Sequence, residues 1–229
     1  MSFRSLWSAT ILKYFRFNQL IYDINFASLE RSISYIRGRV LDVGCGEKPY
    51  QQMIESHCTQ YIGIDLPDSP HLQHKVKADV YANARTLPFQ ADSFDTIVCF
   101  QVMEHVPEPY QMLKEMHRVL RAQGHLILTT PFMWGLHEEP RDFYRYTKYG
   151  LAYLLAKAGF QVLKIEANTG FWTMAGLRLN YHLNRYNGCI LRWILCPVYF
   201  MVQVIANVAD RIHRAETDTA SYTTIAVKP

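Results

Sequence analysis

The run Arg39-Val40-Leu41-Asp42-Val43-Gly44-Cys45-Gly46-Glu47 holds the residues best suited to chemistry. Three apolar residues flank one aspartate and lead into a Gly-x-Gly turn, the pattern of a buried parallel strand entering a tight loop. Glycine suits such a loop because a side chain would hold the backbone away from a ligand. A helix that follows offers unpaired N–H groups beside it. Asp42 argues against pyrophosphate as the nearest ligand group, since a carboxylate repels a phosphate and attracts an ammonium. Asp65 closes the next apolar run, Tyr61-Ile62-Gly63-Ile64-Asp65. It lies about 20 residues beyond the turn, where an acidic side chain meets ribose hydroxyls. A carboxylate accepts two hydrogen bonds from a vicinal diol, which accounts for the residue type.

Positioning these groups requires a regular scaffold. Strands are expected at 40–43, 61–65, 76–80, 96–100, 125–130, 160–167 and 223–228. Helices are expected across 1–37, with a second one starting at Ser28, then from Pro49, at 110–120 with Gly124 stopping it, and at 147–157. Alternating strands and helices predict an α/β fold, a Rossmann-like doubly wound sheet. Ligands in such sheets sit beyond the carboxyl ends of the strands, where Asp42, Asp65, Gln101 and Pro131 all fall. One domain over 1–229 is expected. It comprises an N-terminal helical cap (1–37), a ligand-binding core (38–170), an apolar helical insertion (171–214) and the final strand (215–229).

Composition narrows the classes. The 229 residues are 49% hydrophobic and 14% aromatic, which is globular rather than disordered. The net charge of +4 is spread without a Lys/Arg block, so no nucleic-acid partner is expected. Five cysteines at 45, 58, 99, 189 and 196 form no C-x-x-C pair, which fits free thiols in a reducing cytoplasm. The first residues carry Arg4, Lys13 and Arg16 among aromatics and do not read as a secretory leader. Residues 193–209 carry no formal charge. A membrane span there is rejected, because one crossing would strand the last β-strand on the wrong side of the bilayer. A core helix, an oligomer face and a helix lying on a membrane surface through 190–210 stay open.

Together these residues resemble class I S-adenosylmethionine-dependent methyltransferases of the type-11 group. The likeness runs through the glycine loop, Gly63-Ile64-Asp65, Leu87-Pro88-Phe89, Ser93-Phe94-Asp95, Glu104-His105-Val106, His117-Arg118-Val119-Leu120 and Gly124-His125-Leu126-Ile127. It implies seven strands with the last antiparallel, inserted between the fifth and sixth, and S-adenosyl-L-methionine as cofactor. Asp42 would orient the amino group. The Gly44-Cys45-Gly46 backbone would pass the methionine moiety. Asp65 would hold the ribose, Leu66 would pack on adenine, and Gln101 would lie near the sulfonium. Asn83-Ala84 stands where the family often has an aspartate for the adenine amino group, with Asp79 as the alternative. A loop from His137 through Thr147 is similar to a branch suspected of acting on glycans or glycolipids.

Methyl transfer asks chiefly for alignment, plus a route for the acceptor's proton. His137, in the loop after the fifth strand, is the candidate base; His105 is expected to be structural. Arg141, Tyr144 and Arg145 are candidate acceptor contacts, and a self-ordering salt-bridged loop is the alternative for the arginines. No metal site is expected, because His137-Glu138-Glu139 lacks a second histidine one helical turn away. The expected function is methylation of an oxygen or nitrogen on a small-molecule, glycan or glycolipid acceptor. The alternatives are a non-catalytic binding module and an NAD(P)-dependent oxidoreductase. The latter would need a third glycine where Pro49 stands.

Overall fold

The computed structural model describes residues 13–67, 76–188 and 191–229. The apolar positions Leu6, Ile11 and Leu12, and Cys189, lie outside them. The chain forms two compact units. One takes the described residues up to Ser28 together with Ala167–Ala220, and the other takes Leu29–Glu166 and Ser221–Pro229.

The second unit is built on a seven-stranded sheet. Its strands are β1 (Arg39–Val43), β2 (Gln60–Asp65), β3 (Val80–Tyr81), β4 (Phe94–Phe100), β5 (Leu120–Pro131), β6 (Gln161–Ala167) and β7 (Ser221–Val227), in the order β3-β2-β1-β4-β5-β7-β6. β1 pairs in parallel with β2 and β4, and β4 with β5, while β7 runs antiparallel to β5 from His125↔Val227 to Pro131↔Ser221. The central strands are continuous apolar runs because helices cover both faces. Val40, Leu41, Ile97, Val98, Leu126 and Ile127 are fully buried.

Helix α1 (Gln19–Ser32) is one element, and the boundary between the units falls within it. Ser28 is buried inside the helix and does not start a second one. Helix α2 (Gln51–Glu55) follows the glycine loop. Helix α3 (Pro109–Val119) buries Met112, Leu113, Met116 and Val119, one stripe at helical spacing, behind a proline at its start. It ends at Val119, not at Gly124, because Leu120 is already extended and opens β5. Gly124 serves the strand: a Cβ there would come within 2.8 Å of the Arg121 carbonyl oxygen. Helix α4 (Lys148–Lys157) is capped by Thr147, whose hydroxyl accepts from Gly150 N at 3.0 Å.

The third strand differs most from expectation. Only Val80 and Tyr81 pair with β2. Before them, Lys77 N donates to Gly46 O (2.9 Å) and Asp79 N to Gly63 O (2.8 Å), so residues ahead of the strand brace the glycine loop and the middle of β2.

The first unit carries α5 (Phe171–Asn184) and α6 (Leu191–Ile212). Gly176 lies against Ala206 so closely that a Cβ would sit 2.8 Å from the alanine methyl. Asp210 accepts from Gly170 N (2.9 Å) and Trp172 N (3.0 Å), capping α5 from the neighbouring helix. Gln203 is buried and fully used: Oε1 accepts from Leu20 N, and Nε2 donates to the Tyr14 and Arg16 carbonyls. Thus the inward face of α6 is pinned by polar groups. Its outward face is apolar, with Trp193 82%, Ile205 66% and Ile212 82% exposed. Among the described residues it is the one helix long and apolar enough to cross a membrane.

Candidate active site

The glycine loop leaves β1 with left-handed backbone at Gly44 (φ +76°) and Gly46 (φ +54°). Side chains resist that conformation, and one on Gly44 would collide with Val102. The N–H groups of Gly44 and Cys45 both donate to Ile64 O, at 2.9 and 3.0 Å, tying the loop to β2. Asp65 then closes the turn: Oδ2 accepts from Gly46 N (2.8 Å) and Oδ1 from Leu66 N (2.7 Å). Each oxygen keeps a further lone pair for a diol. Burial nevertheless raises the Asp65 carboxyl, an effect that the two backbone N–H groups oppose.

Asp42 is 3% exposed, and the Tyr61 hydroxyl donates to one of its oxygens. Burial pushes its carboxyl up to about 7, against the pull of Tyr61 and Lys48. A buried carboxylate of this kind gains from a cationic partner. Lys48 lies 5.3 Å over the Tyr61 ring and bonds Asp79 Oδ2 at 2.7 Å. Asp79 Oδ2 also accepts from Gly63 N at 2.7 Å, so Asp79 ties Lys48 to β2. The sequence reading missed Tyr61 and Lys48 as site residues, because their partners lie on other strands.

The structure adds detail at three cofactor-side residues. Cys45 is buried, and a Cβ on Gly63 would stand 2.8 Å from its Sγ, so this thiol is packing. Burial pushes it up to about 12, well away from nucleophile chemistry. Asn83 turns its side-chain oxygen onto Arg85 N (3.0 Å) and Nε (3.3 Å), so that oxygen is partly spent before any adenine arrives. Its backbone pairs with Thr86 across Ala84 and Arg85. Asn83, Arg85, Thr86, Glu108 and Gln111 line a shallow cleft of about 250 Å³ that includes none of Asp42, Asp65, Gln101 or His137. Gln101 ends β4 at φ +56°, rare for a non-glycine residue, with its N–H on Thr129 O (3.0 Å) and Oγ1 (3.1 Å). Such held backbone strain clusters at functional sites.

The acceptor-side loop after β5 orders itself. Arg145 grips Asp142 in a two-pronged pair at 2.6 and 2.7 Å. Its remaining N–H groups go to the carbonyls of Trp134 (3.1 Å), Gly135 (2.7 Å) and Tyr144 (2.7 Å). With five donors and five acceptors, Arg145 has none left for an acceptor molecule, so its assignment as a substrate contact is corrected to a loop fastener. The Tyr144 hydroxyl donates to Pro107 O (2.8 Å), leaving its ring half-exposed. Arg141 gives its carbonyl to His105 Nδ1 at 2.8 Å.

His137 and His105 meet edge to face, with ring centroids 4.9 Å apart. The sequence put both at strand ends but did not bring them together. Around His137 Nδ1 stand Asp142 Oδ2 and Gly135 O, each at 3.3 Å. Two acceptors there favour Nδ1–H and leave Nε2 with the lone pair. Arg145 Nη2 also approaches that nitrogen, at 3.3 Å, but is committed to Asp142 and Gly135. Burial lowers His137, so its ring is neutral at physiological pH and able to take a proton. Asp142 is held down at about 2 by Arg145. Behind the histidines lies Glu104, 0% exposed and pushed up to about 8 by burial.

This sheet order, a bare glycine turn after β1 and a carboxylate closing β2 define the class I S-adenosylmethionine-dependent methyltransferase fold. Residues 41–128 match the methyltransferase domain of type 11, so the chain carries a type-11-like methyltransferase domain. The chain is 30% identical over 156 residues to the tRNA U34 carboxymethyltransferase of Nautilia profundicola, covering 62% of this chain and 52% of that one. It is 26% identical over 129 residues to the ubiquinone biosynthesis O-methyltransferase of Acinetobacter baylyi, covering 51% of each. Among solved structures, phosphoethanolamine N-methyltransferase 2 of Haemonchus contortus, in complex with S-adenosyl-L-methionine, superposes with a TM-score of 0.60 at 17% identity. That match covers 91% of this chain and 53% of the other and speaks for the fold. The chain spans about half the length of the curated relatives it matches.

Proposed function

We propose that the protein transfers a methyl group from S-adenosyl-L-methionine to an oxygen or nitrogen of a small-molecule, glycan or glycolipid acceptor. The observation that carries the reading is Asp65 facing the glycine turn, with Asp42 buried on the adjoining strand: a diol acceptor beside an amine acceptor. When bound, the cofactor supplies a methyl group already activated on a sulfonium and would give it to the acceptor's lone pair, the electrons of the methyl–sulfur bond staying on sulfur. Asp42 would hold the amine, Asp65 the ribose and Leu66 the adenine face, with Gln101 near the sulfonium. His137, oriented by Asp142, takes the acceptor's proton. Alignment is the larger share of the work, worth several kcal/mol.

The O-methyltransferase relative favours an oxygen acceptor, and the tRNA-modifying relative sets the rival. The scattered charge of +4 supports an acceptor outside nucleic acid. The NAD(P) alternative loses support because Pro49 replaces the third glycine. A non-catalytic binding module stays the alternative that assays must exclude. Calorimetric titration tests the donor site: Asp65→Ala should weaken donor binding at least tenfold without loss of fold. Unchanged affinity would remove that assignment. Incubating the protein and donor with metabolite and glycan extracts, read by mass spectrometry, identifies the acceptor as the species gaining a methyl.

A cytoplasmic site with peripheral membrane contact is part of the proposal. Among the described residues, Cys45, Cys58, Cys99 and Cys196 are free thiols, which is consistent with a reducing compartment. The outward face of α6 is apolar, with exposed Arg192 and Arg211 near its ends, the arrangement of a helix seated on an anionic bilayer.

A further inference from the structure

Glu104 poses a problem that the donor site does not answer. Its side chain is 0% exposed, yet neither carboxylate oxygen has a hydrogen-bond partner on another residue. Buried carboxylates are normally satisfied, and an orphan one points to a missing proton, water or ion. The groups around it are not random. His105 Nε2 lies 3.8 Å from Glu104 Oε1 and 3.6 Å from Glu138 Oε2. One ligand atom each from Glu104, His105 and His137 fall within 4.8 Å of one another.

The histidines are prepared as ligands. His105 Nδ1 is 2.8 Å from the Arg141 carbonyl, which can only accept, so Nδ1 carries the hydrogen and Nε2 the lone pair. His137 is fixed the same way by Asp142 and Gly135. A carboxylate or carbonyl behind each imidazole is the usual outer layer of a metal site. A tetrahedral ion with bonds of about 2.1 Å separates its ligands by ~3.4 Å. The 3.6 and 3.8 Å separations at His105 need a few tenths of an ångström of closure, and the pairs with His137, within 4.8 Å, up to about 1.4 Å. The local charge also suits a cation: Glu138 and Asp142 outnumber Arg145, Arg145 is spent on Asp142, and a bound ion would displace the proton that burial keeps on Glu104.

We propose that Glu104, His105 and His137, with Glu138 alongside, hold a divalent transition-metal cation that receives the acceptor's hydroxyl group. Two imidazoles with carboxylates select zinc, manganese or cobalt over magnesium or calcium. The site stands at the carboxyl end of β4, three residues past Gln101, and Glu138 is close enough to Asp65 to act on its charge. There the ion draws in an oxygen acceptor and eases loss of its proton to water. This role rests on the methyl-transfer reading; the ion binding does not. With the ion bound, the His137 lone pair is a ligand and water takes the proton; His137 is the base in the ion-free protein. The constellation was hidden in the chain because its ligands come from two separate loops.

The test uses the full chain, stripped with a chelator and titrated with Co²⁺ under visible absorption, alongside Zn²⁺ by equilibrium dialysis. The expected result is about one ion per chain with tetrahedral-type cobalt bands, and affinity at least tenfold weaker in Glu104→Gln and His137→Gln. Absent stoichiometric binding, or binding unchanged in both folded variants, overturns the proposal. Should a variant fail to fold, paramagnetically shifted imidazole N–H signals from two histidines in the cobalt-loaded native protein carry the test, and their absence overturns it. Donor titration of the same stripped sample separates the two readings. Donor binding without metal binding leaves methyl transfer standing and removes the ion, and the converse removes the donor site alone.

Discussion

At the scale of single residues, the donor site depends on how burial sets charge. Asp42 ordinarily ionises near 3.8, and in the folded protein burial holds its proton up to about 7. The folded state therefore keeps a proton that the unfolded chain has lost, and this group costs stability as pH rises from 3.8 through 7. A bound ammonium reverses the preference and expels the proton. Donor affinity should thus climb as pH rises from about 6 to about 8, with proton release visible as a dependence of calorimetric heat on buffer ionisation enthalpy. Asp42→Asn should flatten that slope, and an equal slope in the variant would show that another group titrates. Arg145 allows a second prediction. Removing it leaves the Asp142 carboxylate, 1% exposed, without its main partner. Arg145→Ala should cost about 2 kcal/mol in denaturant unfolding, and Arg145→Lys should recover only part, since it loses the fork. A substrate contact would instead raise KM with stability untouched.

At the scale of elements, the sequence was legible wherever local pattern and fold agree. The continuous apolar runs at β1, β4 and β5 announced themselves, because parallel strands are buried on both faces. Asp42, Asp65 and Gln101 were placed by the same logic, being polar residues closing apolar runs. What stayed illegible depends on distant partners. Nothing near Asp79 says that it will clamp Gly63 and Lys48, and nothing near Arg145 says that every donor will find a loop carbonyl or carboxylate. Helix α6 was ambiguous because its period fits several burial faces. The structure resolves this by an inversion: Gln203 and Asp210 face in, and Trp193, Ile205 and Ile212 face out. Asp210→Ala should uncap α5 and cost about 1 kcal/mol, measured by thermal unfolding. The apolar face has its own test. The protein should float with vesicles containing phosphatidylserine and stay behind with neutral ones, and Trp193→Ser with Ile205→Ser should abolish flotation while donor affinity holds. Equal flotation in the double variant would sink the membrane reading.

At the scale of the molecule, the two units carry different ligand-directed features. Every proposed donor contact, from Asp42 through Gln101, belongs to the sheet unit, and the outward apolar helix belongs to the other. β7 returns to the sheet after the helical segment, so the sheet unit is closed by residues from both sides of an insertion. This fold-level connectivity predicts where binding free energy will appear. A ligand that binds only the folded form stabilises it by about 2.7 kcal/mol at a hundred times its Kd. Amide exchange governed by opening of the sheet unit should slow accordingly, by about a hundredfold at the slowest sites in β1, β4 and β5. Exchange in 191–212 should be unchanged by donor and slowed by anionic vesicles, if each unit opens by itself. Mass-resolved exchange of peptides from the two units, with each ligand in turn, decides the matter. Donor protection spreading equally into 191–212 would mean that the units open together. Protection confined to the sheet would leave the helical unit free to respond to a surface while the donor stays bound.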